Sequence, residues 1–211
     1  MSIFAIGDIH GMYKLLIELM NKIPLSNGDT LVFIGDYIDR GDESQQVVSY
    51  LLDLRKDRKN TILLRGNHEE IAYDCLTGAE EGDAWILNGG NKTIESYGKN
   101  IVELNENINI LGNLPLWHSE GKFFFSHAGL NPRKRLSDQT HDDLIWDRDC
   151  FYSTKESIVE KEQGITLVFG HTPSLSVVQK HSRICIDTGA CFGNKLTCIQ
   201  LPENKIYQTG G

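Results

Sequence analysis

Gly35-Asp36-Tyr37-Ile38-Asp39-Arg40-Gly41 follows the apolar run Leu31-Val32-Phe33-Ile34, which reads as a buried strand that stops abruptly in glycine and acid. Two carboxylates and a guanidinium fall within this short span, bracketed by glycines that let backbone approach a ligand closely. Asp36 and Asp39 flank a short loop, so both can point into one polar site at the strand's end. Taken alone, the stretch reads equally well as a solvated turn. Four other places in the chain repeat the pattern.

Ser2-Ile3-Phe4-Ala5-Ile6 reads as a strand closed by Gly7-Asp8-Ile9-His10-Gly11. Leu15, Leu16, Leu19, Met20 and Ile23 recur at helical spacing and predict a core-facing helix. Val47, Val48, Leu51 and Leu52 predict a second helix, capped by Ser44. Thr61-Ile62-Leu63-Leu64 is a third strand, ending in Arg65-Gly66-Asn67-His68-Glu69-Glu70. This alternation is βαβαβ, which predicts right-handed crossovers and a largely parallel sheet. Further on, Phe123-Phe124-Phe125-Ser126 ends in His127-Ala128-Gly129, and Thr166-Leu167-Val168-Phe169 ends in Gly170-His171-Thr172. Arg183 to Ile186, Lys195 to Leu201 and Lys205 to Gln208 read as an antiparallel ladder, the last two joined through Pro202-Glu203-Asn204.

Residues 71–115 are more polar and glycine-rich, with weak helical patterning. They predict a helical cap inserted between sheet strands, close to the site and shaping access to it. Trp85 and the Asn88-Gly89-Gly90-Asn91 turn are candidates to line the entrance, with Trp85 equally able to pack the cap onto the rest. The expectation is one domain over 1–211, with this insertion.

Composition narrows the function. With 211 residues, 40% hydrophobic and 24% charged, the chain is long enough for a sizeable core and ordinary for a globular protein. A net charge of -8 argues against a nucleic-acid-coating protein, which needs a basic field. Five cysteines, odd in number and without a Cys-x-x-Cys pair, fit reduced thiols rather than a disulfide framework or zinc knuckle. No apolar run approaches the ~20 residues of a membrane span, and the N-terminus lacks a secretory pattern. The expectation is a soluble cytoplasmic protein without membrane or nucleic-acid partners.

Five strands thus end in polar clusters, and ligands bind at the carboxyl ends of strands in open α/β sheets. Any one histidine reads most simply as a core imidazole satisfied by backbone. Four of them following strand ends beside Asp8, Asp36 and Asn67 do not. His118, His141 and His181 lack that context. Imidazoles, carboxylates and a side-chain amide together suit manganese, iron or zinc. The ligands are too many for one ion, and two ions about 3.5–4 Å apart would use them all. Asp36, midway between the first and third motifs, is the choice for a bridge.

Gly7-Asp8-x-His10-Gly11, Gly35-Asp36-x-x-Asp39-Arg40-Gly41, Gly66-Asn67-His68-Glu69, His127-Ala128-Gly129 and Gly170-His171 resemble the signatures of the PPP-type metallophosphoesterases. That family includes serine/threonine protein phosphatases and symmetrical diadenosine tetraphosphate hydrolases. The likeness runs from Gly7 to about Leu201 in the family's order. His127-Ala128-Gly129, Trp146-Asp147-Arg148, Phe169-Gly170-His171-Thr172-Pro173, Ile186-Asp187-Thr188-Gly189-Ala190 and Leu196-Thr197 look most like the compact phage and bacterial protein phosphatases of the bacteriophage lambda type. The resemblance implies an α/β metallophosphoesterase fold, with mixed sheets packed together and flanking helices. It implies Asp8, His10 and Asp36 on a first metal, with Asp36, Asn67, His127 and His171 on a second. It implies His68 as general acid oriented by Asp39, with Arg40 and Arg148 gripping phosphoryl oxygens.

The implied reaction is hydrolysis of a phosphorylated protein or peptide by direct attack of hydroxide held between two divalent ions, expected to be manganese, with iron or zinc as alternatives. No phosphoenzyme is required. The alternatives are a symmetrical dinucleoside polyphosphate hydrolase, or an enzyme for another small phosphate ester. A catalytically dead metal-binding module would have lost a ligand or the acid, and every one of those positions is filled. A nucleic-acid phosphodiesterase is disfavoured by the acidic balance.

Overall fold

The computed structural model describes residues 1–79 and 82–211. Its first sheet begins with β1 (Ile3–Ile6), α1 (Tyr13–Lys22), β2 (Thr30–Phe33), α2 (Ser44–Asp57) and β3 (Thr61–Leu63). β1 pairs with β2 and β2 with β3, both in parallel, as the βαβαβ pattern requires. Four helices follow: α3 (Asn67–Thr77), α4 (Gly82–Leu87), α5 (Gly90–Tyr97) and α6 (Ile101–Gly112).

The second sheet takes β4 (Trp117–Glu120), β5 (Phe123–Ser126), β6 (Thr166–Phe169), β7 (Val178–Lys180) and β8 (Arg183–Cys185), in the order β4-β5-β6-β8-β7. Between β5 and β6 lie α7 (His141–Ile145), α8 (Asp149–Tyr152) and α9 (Ile158–Gln163). β9 (Lys195–Leu201) and β10 (Lys205–Gly210) return to the first sheet, whose order is β10-β9-β1-β2-β3.

Strand alternation explains the layers. Ile3, Ala5, Val32 and Ile34 meet Phe123, Phe125, Val168 and Ile184 in one buried cluster between the sheets. Their sequence neighbours Phe4, Ile6, Leu31 and Phe33 pack with Leu16, Leu19, Val47 and Leu51 of α1 and α2. On the far side, Phe124, Leu167 and Phe169 pack with Leu144, Ile145 and Val159 of α7 and α9. Central strands buried on both faces read as continuous apolar runs, which is why they were visible in the sequence. The result is two mixed sheets face to face, each covered outside by helices.

Two expectations change. Arg183 to Ile186 does not join β9 and β10: β8 pairs in parallel with β6 and antiparallel with β7, in the other sheet. Its short apolar run is the same for either neighbour, so pattern alone could not choose. Ser44 is not a cap. It is the first residue of α2, and its Oγ accepts the Asp39 N–H at 3.2 Å. Apart from residues 80 and 81, which lie outside the described residues, the 71–115 segment is more regular than its pattern suggested, because Ile71, Trp85, Tyr97, Leu104, Ile108 and Leu111 join the same core as α1 and α2. Among the described residues, no helix is long and apolar enough to cross a membrane.

Candidate active site

The loops after β1 and β2 are zipped together by backbone. The N–H groups of Ile9 and His10 both donate to the Asp36 carbonyl, at 3.0 and 2.8 Å, and Gly41 N–H donates to the His10 carbonyl at 3.1 Å. His10, Asp36, Asp39, Arg40 and His171 all have positive φ, between 46° and 71°. Such backbone is uncommon outside glycine and persists only where surroundings enforce it. Gly35 has φ 106°, and a Cβ there would stand 2.6 Å from the Gly66 nitrogen. A Cβ on Gly170 would stand 2.0 Å from Asp8 Oδ1. Both positions are glycine because the loops touch there.

Glu69 locks this arrangement. Its buried carboxylate accepts from Asp36 N (2.8 Å), Tyr37 N (2.8 Å) and Gly66 N (2.9 Å). One side chain thus ties the β2 loop to the N-terminus of α3, where Asn67 and His68 sit.

The histidines are aimed by backbone carbonyls. His10 Nδ1 lies 2.9 Å from Ile38 O, His127 Nδ1 3.0 Å from Ile34 O, and His171 Nε2 3.0 Å from Trp146 O. A ring nitrogen facing a carbonyl carries the hydrogen, so the opposite nitrogen of each ring presents a lone pair. Those lone pairs converge on other acceptors. His10 Nε2 is 3.2 Å from Asp36 Oδ2, and His127 Nε2 is 3.4 Å from Asp36 Oδ1. His127 Nε2 and His171 Nδ1 both lie 3.0 Å from Asn67 Oδ1. Acceptors facing acceptors at such distances call for cations between them, and imidazole held by a backbone carbonyl is the usual support of a metal ligand. Among the described residues, two groupings bring ligand atoms close enough together to hold an ion, His10/Asp36/His68 and Asp8/Asp36/His127, and Asp36 belongs to both. The donor set fits divalent metal.

His68 sits on the other side of Asp36. Its Nδ1 lies 2.7 Å from Asp39 Oδ2, and its Nε2 receives Arg40 Nη2 at 2.8 Å. Arg40 Nη1 reaches His10 Nε2 at 2.5 Å. Asp39 is fully buried, and its other oxygen accepts from Trp85 Nε1 (2.9 Å) and Thr93 Oγ1 (2.6 Å). Trp85 is therefore a buried support for Asp39 and not part of an entrance. Arg148 is exposed at the start of α8, and its charge helps lower the pKa of His171. The nearby Asp149 carboxylate takes its ion pair from Arg133.

The calcineurin-like phosphoesterase family matches residues 1–204. The chain belongs to that family. An asymmetrical bis(5'-nucleosyl)-tetraphosphatase of Halalkalibacterium halodurans is 28% identical, covering 96% of this chain and 91% of its own. Serine/threonine-protein phosphatase 1 of Salmonella typhimurium is also 28% identical, covering 94% and 91%. A solved serine/threonine phosphatase of Saccharomyces cerevisiae superposes with a TM-score of 0.71 at 18% identity, covering 100% of this chain and 80% of that one. That last likeness concerns the fold.

Electrostatics in this metallophosphoesterase centre follow from burying like charges together. Burial, then Asp187 and Asp36, push Asp8 well above the usual carboxylate range. Burial also opposes charge on Asp36, yet His127, His68 and His10 around it hold its pKa well below that range. Burial and then His127 push His171 down to about 3, so it stays a neutral donor. Burial and then Asp36 push Glu69 up to about 7.

Glu69, Thr93 and Asp187 carry no assigned role in the sequence, and Trp85 is read there only as an entrance or packing residue. Asp187 was within reach: it follows the apolar Ile184-Cys185-Ile186 as Asp8 and Asp36 follow their strands, and was obscured by assigning that run to the wrong sheet. Trp85 and Thr93 act through contacts with a residue more than 45 positions away, for which no local signal exists. His118, His141 and His181 stand apart, on Phe125, Glu70 and the Thr154 carbonyl respectively.

Proposed function

We propose that this metallophosphoesterase is a serine/threonine protein phosphatase acting on phosphorylated protein or peptide. Asp8, His10 and Asp36 would hold one divalent ion, and Asp36, Asn67, His127 and His171 a second, with manganese the expected metal. When bound, such ions supply Lewis-acid charge to phosphoryl oxygen and make water acidic enough to deprotonate near neutral pH.

The chain's own groups do the rest. Arg40 and Arg148 offer planar forks of donors to the phosphoryl oxygens. The N-terminus of α3 adds the positive end of its dipole on the same side. With Arg40 turned from His68 to the phosphoryl oxygens, His68 Nε2 is free to take up a proton and pass it to the departing alkoxide, which is a poor leaving group without one. Asp39 holds the His68 ring through Nδ1, and Trp85 and Thr93 hold Asp39. The helices of 71–115 and the loop of 130–143 are proposed to select the substrate.

One observation carries the choice of substrate. Among the described residues, the charge of Arg40 bears on Asp8, His10 and the neighbouring Asp187, and that of Arg148 on His171. Two guanidiniums in a protein of net charge -8 suit one phosphoryl dianion better than a tetraphosphate chain. The second reading, dinucleoside polyphosphate hydrolysis, has the Halalkalibacterium relative in its favour; that protein is named asymmetrical, whereas the motifs suggested the symmetrical class.

The test is steady-state hydrolysis by manganese-loaded protein of a phosphothreonine peptide and of diadenosine tetraphosphate under the same conditions. A much higher kcat/KM on the peptide is expected. Preference for the dinucleotide would replace the protein-phosphatase reading.

A further inference from the structure

The turn 189–193 presents an aromatic ring to the site. Gly189 and Gly193 adopt left-handed backbone, with φ 72° and 80°, at its two ends. Phe192 N and Asn194 N both donate to the Gly189 carbonyl, at 3.0 and 3.2 Å, and Gly189 N donates to Asp187 Oδ1 at 3.0 Å. The backbone is thus pinned to a buried acid of the centre, while the Phe192 side chain is 64% exposed. Its ring centroid lies 5.4 Å from Arg40 Cζ, on the guanidinium that also reaches His10 and His68.

A second loop brings its own apolar groups to the same place. Pro173 and Leu175 follow the ligand His171; Pro173 is exposed and Leu175 is 90% exposed. Asn194 Nδ2 donates to the Leu175 carbonyl at 3.2 Å, and Ser174 N to the Asp187 carbonyl at 3.2 Å, fastening the two loops together. Single exposed hydrophobes are ordinary. Here two coupled loops, each leaving a residue of the centre, carry exposed apolar side chains, and one of them, Phe192, stands over Arg40. Pro173, Leu175 and Phe192 present only apolar surface, and on a phosphorylated peptide the chemistry that matches it is an apolar side chain.

We propose that Phe192, flanked by Leu175 and Pro173, is a specificity-determining residue that receives an apolar side chain adjoining the phosphorylated residue of a peptide. This rests on the protein-phosphatase reading.

The experiment compares kcat/KM of manganese-loaded protein on two phosphothreonine peptides, one with leucine and one with glycine on both sides of the phosphoresidue. The unaltered protein should favour the leucine peptide by about tenfold, the order one apolar side chain provides in a pocket. Phe192→Ala should bring the ratio to within about twofold of unity, and Phe192→Leu, which keeps apolar volume, should retain most of it. Thermal melts verify that both variants are folded. A ratio near unity in the unaltered protein, or one unchanged in Phe192→Ala, overturns the inference while leaving the phosphatase reading intact. Equal losses on both peptides also overturn it, since the ring would then only support Arg40. Hydrolysis of diadenosine tetraphosphate with no peptide turnover overturns the phosphatase reading, and the inference with it.

Discussion

Replacing Trp85 by Phe removes one donor from the buried clamp on Asp39. The indole N–H and the Thr93 hydroxyl share one Asp39 oxygen, at 2.9 and 2.6 Å, which leaves the other oxygen to His68 at 2.7 Å. Asp39 is 0% and Trp85 3% exposed, so water cannot take the donor's place. A hydrogen bond onto a charged acceptor contributes ~1.5–3 kcal/mol, and the space left by the smaller ring costs about 1 kcal/mol more. Trp85→Phe should therefore lose ~2.5–4 kcal/mol in urea denaturation. A double-mutant cycle with Asp39→Ala separates the bond from the cavity, and should show a coupling of ~1.5 kcal/mol or more. The same variant should slow hydrolysis of an alkyl phosphoester about tenfold and of an aryl phosphate much less, because only the poor leaving group needs the proton that His68 is proposed to deliver. A coupling below ~0.5 kcal/mol, or equal slowing of the two esters, would refute the reasoning.

The other expectations concern the acid, the metals and pH. His68→Asn should lower kcat on a phosphothreonine peptide by ~10²–10⁴ and on an aryl phosphate far less; equal slowing in stopped assays would remove the general-acid role. Manganese added to chelator-stripped protein should stabilise it by about 4 kcal/mol for each site filled at a thousand times its Kd, read as a rise in Tm by calorimetry. Asp36→Asn should abolish more of that rise than Asp8→Asn, because Asp36 belongs to both groupings, and an unchanged Tm on adding the metal would contradict the site. Burial works against charge on Asp143, but Lys134 and Thr140 bond it and bring its pKa below the usual value. A carboxylate depressed in the folded state contributes stability above its unfolded pKa and loses it as pH falls through the folded value. Asp143→Asn should therefore destabilise at neutral pH, with the gap to the unaltered protein closing below about pH 4; a gap independent of pH would disprove the electrostatic part.

Much of this architecture was legible because its central strands are buried on both faces. Leu31 to Ile34 and Phe123 to Phe125 stand out as apolar runs, and each is followed at once by groups that have no place in a core. The rule that ligands gather at strand ends then assembles Asp8, Asp36, Asn67, His127 and His171 without knowledge of the second sheet. What stayed hidden depends on contacts distant in sequence. β8 is too short for its pattern to name a partner, so Asp187 went unseen. The weak periodicity of 71–115 reflects helices carrying buried polar groups such as Thr93 and Asn107, and one of these groups supports Asp39. Ser44 looked like a cap from its position before a helix, yet its hydroxyl accepts from the Asp39 backbone.

The span from Ile34 to Arg40 does more than supply Asp36, Asp39 and Arg40. Its backbone carbonyls also aim two rings that belong to other loops: Ile34 O accepts from His127 and Ile38 O from His10. The two side chains on those residues anchor in different cores, Ile34 between the sheets and Ile38 beneath the first helical layer. Packing on both sides of the loop thus fixes the direction of each carbonyl, each carbonyl fixes a tautomer, and each tautomer fixes where a lone pair points. The chain bears a dense group of acceptors that would repel one another, and it holds them in register through apolar contacts that carry no charge. A loop ordered only by its polar side chains would reorganise to relieve that repulsion. This one is held by isoleucines as well as by Glu69 and backbone hydrogen bonds, so the convergence is built into the fold and divalent cations are what it is shaped to receive.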